Sequence, residues 1–325
     1  MKRLNGCLIF LIALTVISCG RDGEDDLTLP DIEPMSPYDE PVWHPSGEII
    51  GFNHTPIKEI YYNSKNRQVH WVYDSDSTGF WLINADGTNM RRVLPYYLKT
   101  PAWSPDGSRI AFSNGAQISI MPFDGEKFDT TAIRLLTHEG KNFFPSWSPD
   151  AQWIAYDSNA ESPIGQYFIW KMRIDGTSKK CIAYTPDLGE TRMPYWKNNF
   201  SIVHQRYIEI GTPEIFEMDL TGKNKTRITN NNIHETLLQS SANNKYITYI
   251  SSSDKWSLNR IDVSTNELIN LTNWCKNYSW AHNGEKIVYV NFNSTHIDKT
   301  IGNLWTIDAD GSNKKPLTYN SFKTL

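Results

Sequence analysis

The feature that most constrains this chain is a short phrase that returns. Pro101-Ala102-Trp103-Ser104-Pro105-Asp106-Gly107 recurs as Pro145-Ser146-Trp147-Ser148-Pro149-Asp150-Ala151 and, more loosely, as Pro41-Val42-Trp43-His44-Pro45-Ser46-Gly47. Pro194-Tyr195-Trp196 and Trp280-Ala281-His282-Asn283-Gly284 continue the series. The tryptophans at 43, 103, 147, 196 and 280 are 60, 44, 49 and 84 residues apart. The last gap is twice 42, which predicts a hidden copy near residue 238. Ser240-Ser241-Ala242-Asn243-Asn244 occupies it, with Ser240 in the tryptophan slot. Six copies of a unit this long mean a repeat architecture, in which each unit must cover its neighbour's apolar face.

Each copy reads as four short strands. About seven residues after the tryptophan slot comes a strand such as Ile110-Ala111-Phe112, Ile154-Ala155-Tyr156 or Ile287-Val288-Tyr289; Ile202-Val203-His204 comes one residue early. A third strand ends in a glycine turn, as in Ile169-Trp170-Lys171-Met172 before Asp175-Gly176. A fourth closes the unit, as in Leu135-Leu136-Thr137, Arg227-Ile228-Thr229, Leu268-Ile269-Asn270-Leu271-Thr272 and Pro316-Leu317-Thr318. Alternating apolar residues and Asp-Gly turns specify antiparallel hairpins. No segment of ten residues carries apolar residues at helical spacing with caps, so very little helix is expected. The predicted fold is all-β: a six-bladed β-propeller of four-stranded antiparallel blades, with a tryptophan wedged between neighbouring blades. The repeat boundaries make each blade contiguous, while a strand borrowed from residues 27–29 for ring closure stays open.

The P-x-W-S-P-D-G, I-A-F/Y, I-W-x-M-x-x-D-G and L-T series resembles the TolB-type propeller repeat from residue 41 to about 318. TolB carries an extra α/β domain before its propeller, and residues 19–40 leave no room for one, so the resemblance implies the propeller without TolB's role in the Tol–Pal system. Similar repeats form the propeller of prolyl-oligopeptidase-like peptidases, which need a hydrolase domain with G-x-S-x-G. That motif is absent from this sequence.

The N-terminus reads as an export signal. Lys2 and Arg3 precede an apolar run at residues 8–17, too short to span a bilayer. The run ends at Ile17-Ser18-Cys19, which resembles a bacterial lipobox and implies lipidation of Cys19. The expected organisation is a lipoprotein signal peptide at 1–18, an acidic flexible tether at 19–40 and a propeller at 41–325. Loss of Lys2 and Arg3 takes the formal charge from −4 to −6, which argues against nucleic acid as a partner. The resemblance to lipoproteins, and to acidic surface-export signals at Glu24-Asp25-Asp26, implies an outer-membrane lipoprotein, periplasmic or surface-exposed. Cys181 and Cys275 are too few for a disulfide framework and are expected to be buried and unpaired.

Functional candidates follow from what varies between copies. The first-to-second turn is nearly constant, whereas the second-to-third connection changes length from copy to copy. In a meander that connection opens on the same end as the inter-blade loop, so this end is expected to carry function. Its largest feature is an insertion at residues 57–77, read as a protruding hairpin. Tyr61, Tyr62, Arg67, His70, Trp71 and Tyr73 are its candidate partner-binding residues, of types common at binding hot spots; packing of the hairpin on its own blade is the competing reading. Asp106, Asp150, Asp175 and Asp310 sit in separate turns and read as turn residues rather than metal ligands. His54, His138, His204, His234 and His296 follow the blade period, without the close pairing of a metal site, although oligogalacturonate lyases place a metal-assisted site on a repeat-built propeller. No catalytic residue, metal or cofactor is assigned. The sequence points to a non-catalytic, lipid-anchored envelope or cell-surface module for a protein or glycan partner. The alternative is a polysaccharide lyase or hydrolase with a metal-assisted site at the funnel.

Overall fold

The computed structural model describes residues 36–63, 68–184, 189–208, 212–252, 255–292, 302–321 and 323–324. Six four-stranded antiparallel sheets succeed one another along the chain, and each is built from consecutive strands apart from one insertion. Blade 1 contains β1 (Tyr38–Trp43), β2 (Ile49–His54), β5 (Gly79–Asn84) and β6 (Arg91–Leu94). Between β2 and β5 it carries the insertion hairpin β3 (Ile57–Asn63) and β4 (Gln68–Tyr73). The first strands of blades 2 to 6 are Lys99–Trp103, Asn142–Trp147, Thr191–Asn198, Glu235–Ser240 and Cys275–Trp280. Helix among the described residues is limited to two single 3₁₀ turns.

The first strand is the edge strand of every sheet, and all six line a central cavity of about 350 Å³. An exposed edge is a liability, because its free N–H groups invite further pairing. Here each first strand is bulged at the same place, between Asp39 and Val42 in blade 1 and between Phe143 and Ser146 in blade 3, for example. In five blades the bulge holds a residue at positive φ: Glu40, Thr100, Phe144, Met193 and Leu237. In four of these the next residue is proline (Pro41, Pro101, Pro145, Pro194), which removes one donor from the edge. The proline that opens the repeated phrase thus shapes the channel wall.

The rest of the phrase locks a turn. Ser104 Oγ donates to Asp106 (2.5 Å) and accepts from the Arg109 amide, and Ser148 does the same with Asp150 and Trp153. The Asp-Gly turns close in the same way: Asp175 accepts from the amide and hydroxyl of Thr177, and Asp310 from those of Ser312. These hydrogen bonds hold both carboxyls below the usual carboxylate range. The threonine of the L-T phrase also has a defined task. Thr137, Thr229 and Thr318 each accept an amide near the start of the third strand of their blade, from Ile118, Ile215 and Leu304. In blade 4 the first turn is shorter and an extra irregularity follows Trp196, which accounts for the strand that comes one residue early.

Packing follows the seams between blades. Six hydrophobic clusters fill six seams, and a tryptophan sits in five of them: Trp103, Trp43, Trp147, Trp280 and Trp196. Each is 5–7% exposed. The sixth cluster, between blades 4 and 5, contains Val203, Ile215, Leu238, Ile247, Tyr249 and Ile261. Its tryptophan slot is the buried Ser240, and the ring of Tyr195 packs against the cluster instead. Tyr195 stands where the other blades have Val42, Ala102, Ser146, Gln239 and Ser279. The missing ring is thus supplied from the neighbouring blade.

A second polar device links blades. In three blades the residue after the I-A-F/Y triplet or its equivalent reaches the next blade: Asn53 bonds both the amide and the carbonyl of Leu98, and Gln205 donates to the Glu235 carbonyl. Asp157 accepts from Arg192 and the Met193 amide. In blades 5 and 6 the same position is Ile250 or Val290, buried in the seam. The ring closes by blade 6 packing on blade 1, with Lys276 paired to Asp39 (2.9 Å) and Ser279 accepting the Trp43 amide. Blade 6 is contiguous, like the others, and residues 27–29 lie outside the described residues. Cys275 is buried and Cys181 half-buried, and neither is in a disulfide. The expectation of two buried cysteines therefore holds for one, because Cys181 lies on the short outermost strand of blade 3.

Candidate functional site

The two ends of the ring are chemically different. One end, here the turn end, carries the first-to-second and third-to-fourth turns. The other, the loop end, carries the second-to-third and inter-blade connections. Exposed large apolar side chains concentrate on the loop end. They include Tyr61, Tyr96, Tyr97, Tyr184, Trp256 and Tyr319, from five different connections.

The insertion hairpin stands on this end. β3 and β4 pair antiparallel as expected, and the strand Lys323–Thr324 adds to the free edge of β3 in parallel. The parallel strand was not anticipated, because two residues carry no pattern. Pairing across the hairpin sorts its aromatic residues. Tyr61 faces His70, with ring centroids 5.1 Å apart and planes 15° from parallel, and Tyr61 is exposed. Trp71 lies opposite Ile60 and Tyr73 opposite Ile57; all four form the hairpin's own small core. Burial, with a smaller contribution from Tyr97, pushes the Tyr73 phenol up to about 12. The backbone of Tyr62 pairs with Val69. Arg67 and the lipidation candidate Cys19 lie outside the described residues. Of the sequence candidates, Tyr61 and His70 thus present the outer surface, while Trp71 and Tyr73 hold the hairpin together.

The channel mouth on the loop end is charged. Asp39 pairs with Lys276 and accepts from Asn277. Beside it, Glu40 accepts from Asn53 (2.8 Å) and the Thr100 amide (2.9 Å). Burial pushes the Glu40 carboxyl up to about 7, opposed by the Thr100 hydrogen bond. Three blades on, the Arg192 guanidinium lies 4.1 Å from the Tyr167 ring centroid and reaches Asp157 at 3.2 Å. Burial pushes Asp157 up to about 6, against the pull of Arg192. The deeper wall is apolar, with Trp and Pro from the repeated phrase.

The histidines do not converge. His54 is buried on Tyr38 (4.1 Å, 24°), and His204 is buried against Phe216. Burial lowers both to about 4. His138 and His234 are exposed, and His296 lies outside the described residues. Among the described residues, no three His, Cys, Asp or Glu side chains come together as a metal site. The inter-blade tyrosines were missed by sequence reading because each copy contributes only one or two, at positions where the repeat is least regular. Their shared property, occurrence just before or after the L-T phrase or its equivalent, was a usable signal.

The family model of the TolB beta propeller domain matches residues 81–324, and the chain belongs to that family. Among solved structures, TolB from Acinetobacter baumannii is 19% identical, with a TM-score of 0.61 over 87% of this chain and 64% of that one. A chain described as TolB from Agrobacterium tumefaciens is 18% identical, with a TM-score of 0.59 over 73% and 88%. An oligogalacturonate lyase in complex with manganese is 9% identical, with a TM-score of 0.55 over 86% and 76%. At these identities the likeness is one of fold. No curated protein matches the sequence. No helix among the described residues is long and apolar enough to cross a membrane.

Proposed function

We propose that this propeller is a non-catalytic binding module, held in the bacterial envelope or at the cell surface by a lipid on Cys19, and that its loop end captures a protein or glycan partner. The observation that carries the reading is the concentration of exposed tyrosine and tryptophan on that end, beside a charged channel mouth. Such rings supply large contact area and a polar handle at low entropic cost. A burial-poor aromatic face is costly to display unless something covers it. The placement in the envelope rests on the lipobox-like Ile17-Ser18-Cys19 and on kinship with a TolB domain.

The test compares the wild-type chain with Tyr61→Ala/His70→Ala and Tyr96→Ser/Tyr97→Ser variants, using co-purification from envelope extracts and a glycan array. Loss of a hot-spot aromatic should weaken partner binding about tenfold or more without changing the melting temperature. Capture that survives both loop-end variants would refute the assignment. Stoichiometric metal together with turnover on the glycan panel would instead support the lyase or hydrolase reading. Metabolic labelling with a fatty acid, lost in Cys19→Ala, tests the anchor separately.

A further inference from the structure

The turn end of blades 3 and 4 differs from the rest of the ring. The first turn of blade 4 has lost the S-P-D-G phrase and reads Lys197-Asn198-Asn199-Phe200. Asn198 Oδ1 accepts the amides of Phe200 (2.8 Å) and Ser201 (3.0 Å), which fixes the turn and holds the ring out. Phe200 is 80% exposed, more than any other large apolar side chain among the described residues.

The same end of blade 3 carries several cations. Lys171 and Arg173 on the third strand of blade 3 both lie against Trp153, at 5.0 and 4.8 Å from the ring centroid. Lys171 is directly opposite Lys180 across the sheet, a like-charge pairing that is unfavourable unless an anion compensates it. Lys179 follows in the same turn, and Lys223 and Lys225 stand in the matching turn of blade 4. Among the described residues no carboxylate pairs with Lys171, Arg173, Lys179 or Lys180. The acids of these turns, Asp150, Asp175 and Asp219, each accept from donors of their own turn, and Glu217 pairs with Lys197. The chain as a whole is acidic, so this patch runs against the overall charge.

We infer that the turn end of blades 3 and 4 docks on an anionic phospholipid surface, with Phe200 entering the interface and the lysines and arginine meeting lipid phosphates. An exposed aromatic ring beside several cations is the combination that holds peripheral proteins at such surfaces. The charge complementarity selects an anionic occupant over a neutral or basic one, and the 80%-exposed Phe200 ring beside the cations favours a lipid interface over an acidic protein. The arrangement deepens the proposed function, because it turns the loop end away from the membrane and toward a partner. It does not depend on which partner binds there.

The experiment uses the mature chain with Cys19→Ser, so that no acyl chain contributes, and follows its co-sedimentation with vesicles. Vesicles of phosphatidylglycerol and phosphatidylcholine should bind it, phosphatidylcholine alone should not, and about 0.5 M salt should release it. Each lysine removed should weaken binding by about fivefold, so Lys179→Ala/Lys180→Ala should nearly abolish it, and Phe200→Ser should weaken it several-fold. All three positions are on the surface, so melting temperatures should stay unchanged. Binding that ignores lipid charge, or that persists in both variants, overturns the inference. The loop-end variant Tyr96→Ser/Tyr97→Ser should bind vesicles like wild type; loss of binding in it would place the membrane surface on the other end. Partner capture through the loop end can fail without altering any of these outcomes.

Discussion

The seam between blades 4 and 5 offers the sharpest test of how this ring is assembled. Five seams hold a tryptophan, whose burial of roughly 200 Å² is worth up to about 5 kcal/mol. At the sixth, Ser240 leaves the slot empty and Tyr195 fills the seam from the other side. Tyr195 is half-buried, packed on the cluster at the wall of the central cavity, and burial pushes its phenol up to about 12. Tyr195→Ala should therefore cost about 3–5 kcal/mol, the range for removing a buried aromatic ring. Ser240→Trp alone restores the repeat's consensus, yet it should cost about 1–3 kcal/mol, because the ring would collide with Tyr195. Combining the two should recover most of the loss, with a coupling of at least about 2 kcal/mol. Equilibrium urea unfolding, followed by both tryptophan fluorescence and circular dichroism, gives the four stabilities. If Ser240→Trp is stabilising alone, or if the two changes simply add, Tyr195 does not occupy the vacated slot.

Three further predictions follow from single contacts. Thr137→Val keeps the shape but removes the acceptor for the Ile118 amide, and should cost about 1–3 kcal/mol, read as a lower urea midpoint. Asp157→Ala should cost about 3 kcal/mol or more, since it strips Arg192 and the Met193 amide of their partner; a near-neutral result would show that the blade 3 to blade 4 link is dispensable. Burial, opposed by hydrogen bonds from Thr229 and Asn231, pushes the Glu235 carboxyl from its ordinary 4.5 up to about 7. Between those two values the folded chain keeps a proton that the unfolded chain has lost, so this group makes stability fall as pH rises through the window and level off above it. Melting temperatures from pH 5 to 8 should decline less steeply in Glu235→Gln than in wild type, with a residual slope from Glu40, which shifts the same way.

The repeat was legible because its elements are local. The tryptophan spacing, the hairpin turns and even the vacant slot at Ser240 follow from residues close in sequence. What replaces the missing ring was not legible. Tyr195 lies one residue before a normal tryptophan, and nothing in its own blade shows that it serves the next one. The links through Asn53, Asp157 and Gln205 were hidden for the same reason, since side chains of different chemistry do one job at one position. At the candidate site the insertion hairpin was read from its alternation, but alternation could not say which side faced inward. Pairing with Ile57 and Ile60 decides that for Trp71 and Tyr73. The exposed loop-end tyrosines and Trp256 come from five separate connections, and only the ring brings them to one surface.

The way the ring closes has a consequence for how freely the chain can be rewired. Among the described residues no backbone-to-backbone hydrogen bond joins blade 6 to blade 1, and Ser36 donates to the Gly302 carbonyl, so the beginning of blade 1 lies beside blade 6. Among the described residues no strand crosses from one blade sheet to another, so the order in which the blades are threaded is not written into the sheets. Circular permutants opened at another inter-blade loop, with the original ends joined by a short linker, should rebuild the same six sheets. They would also let a membrane anchor be attached next to any chosen blade.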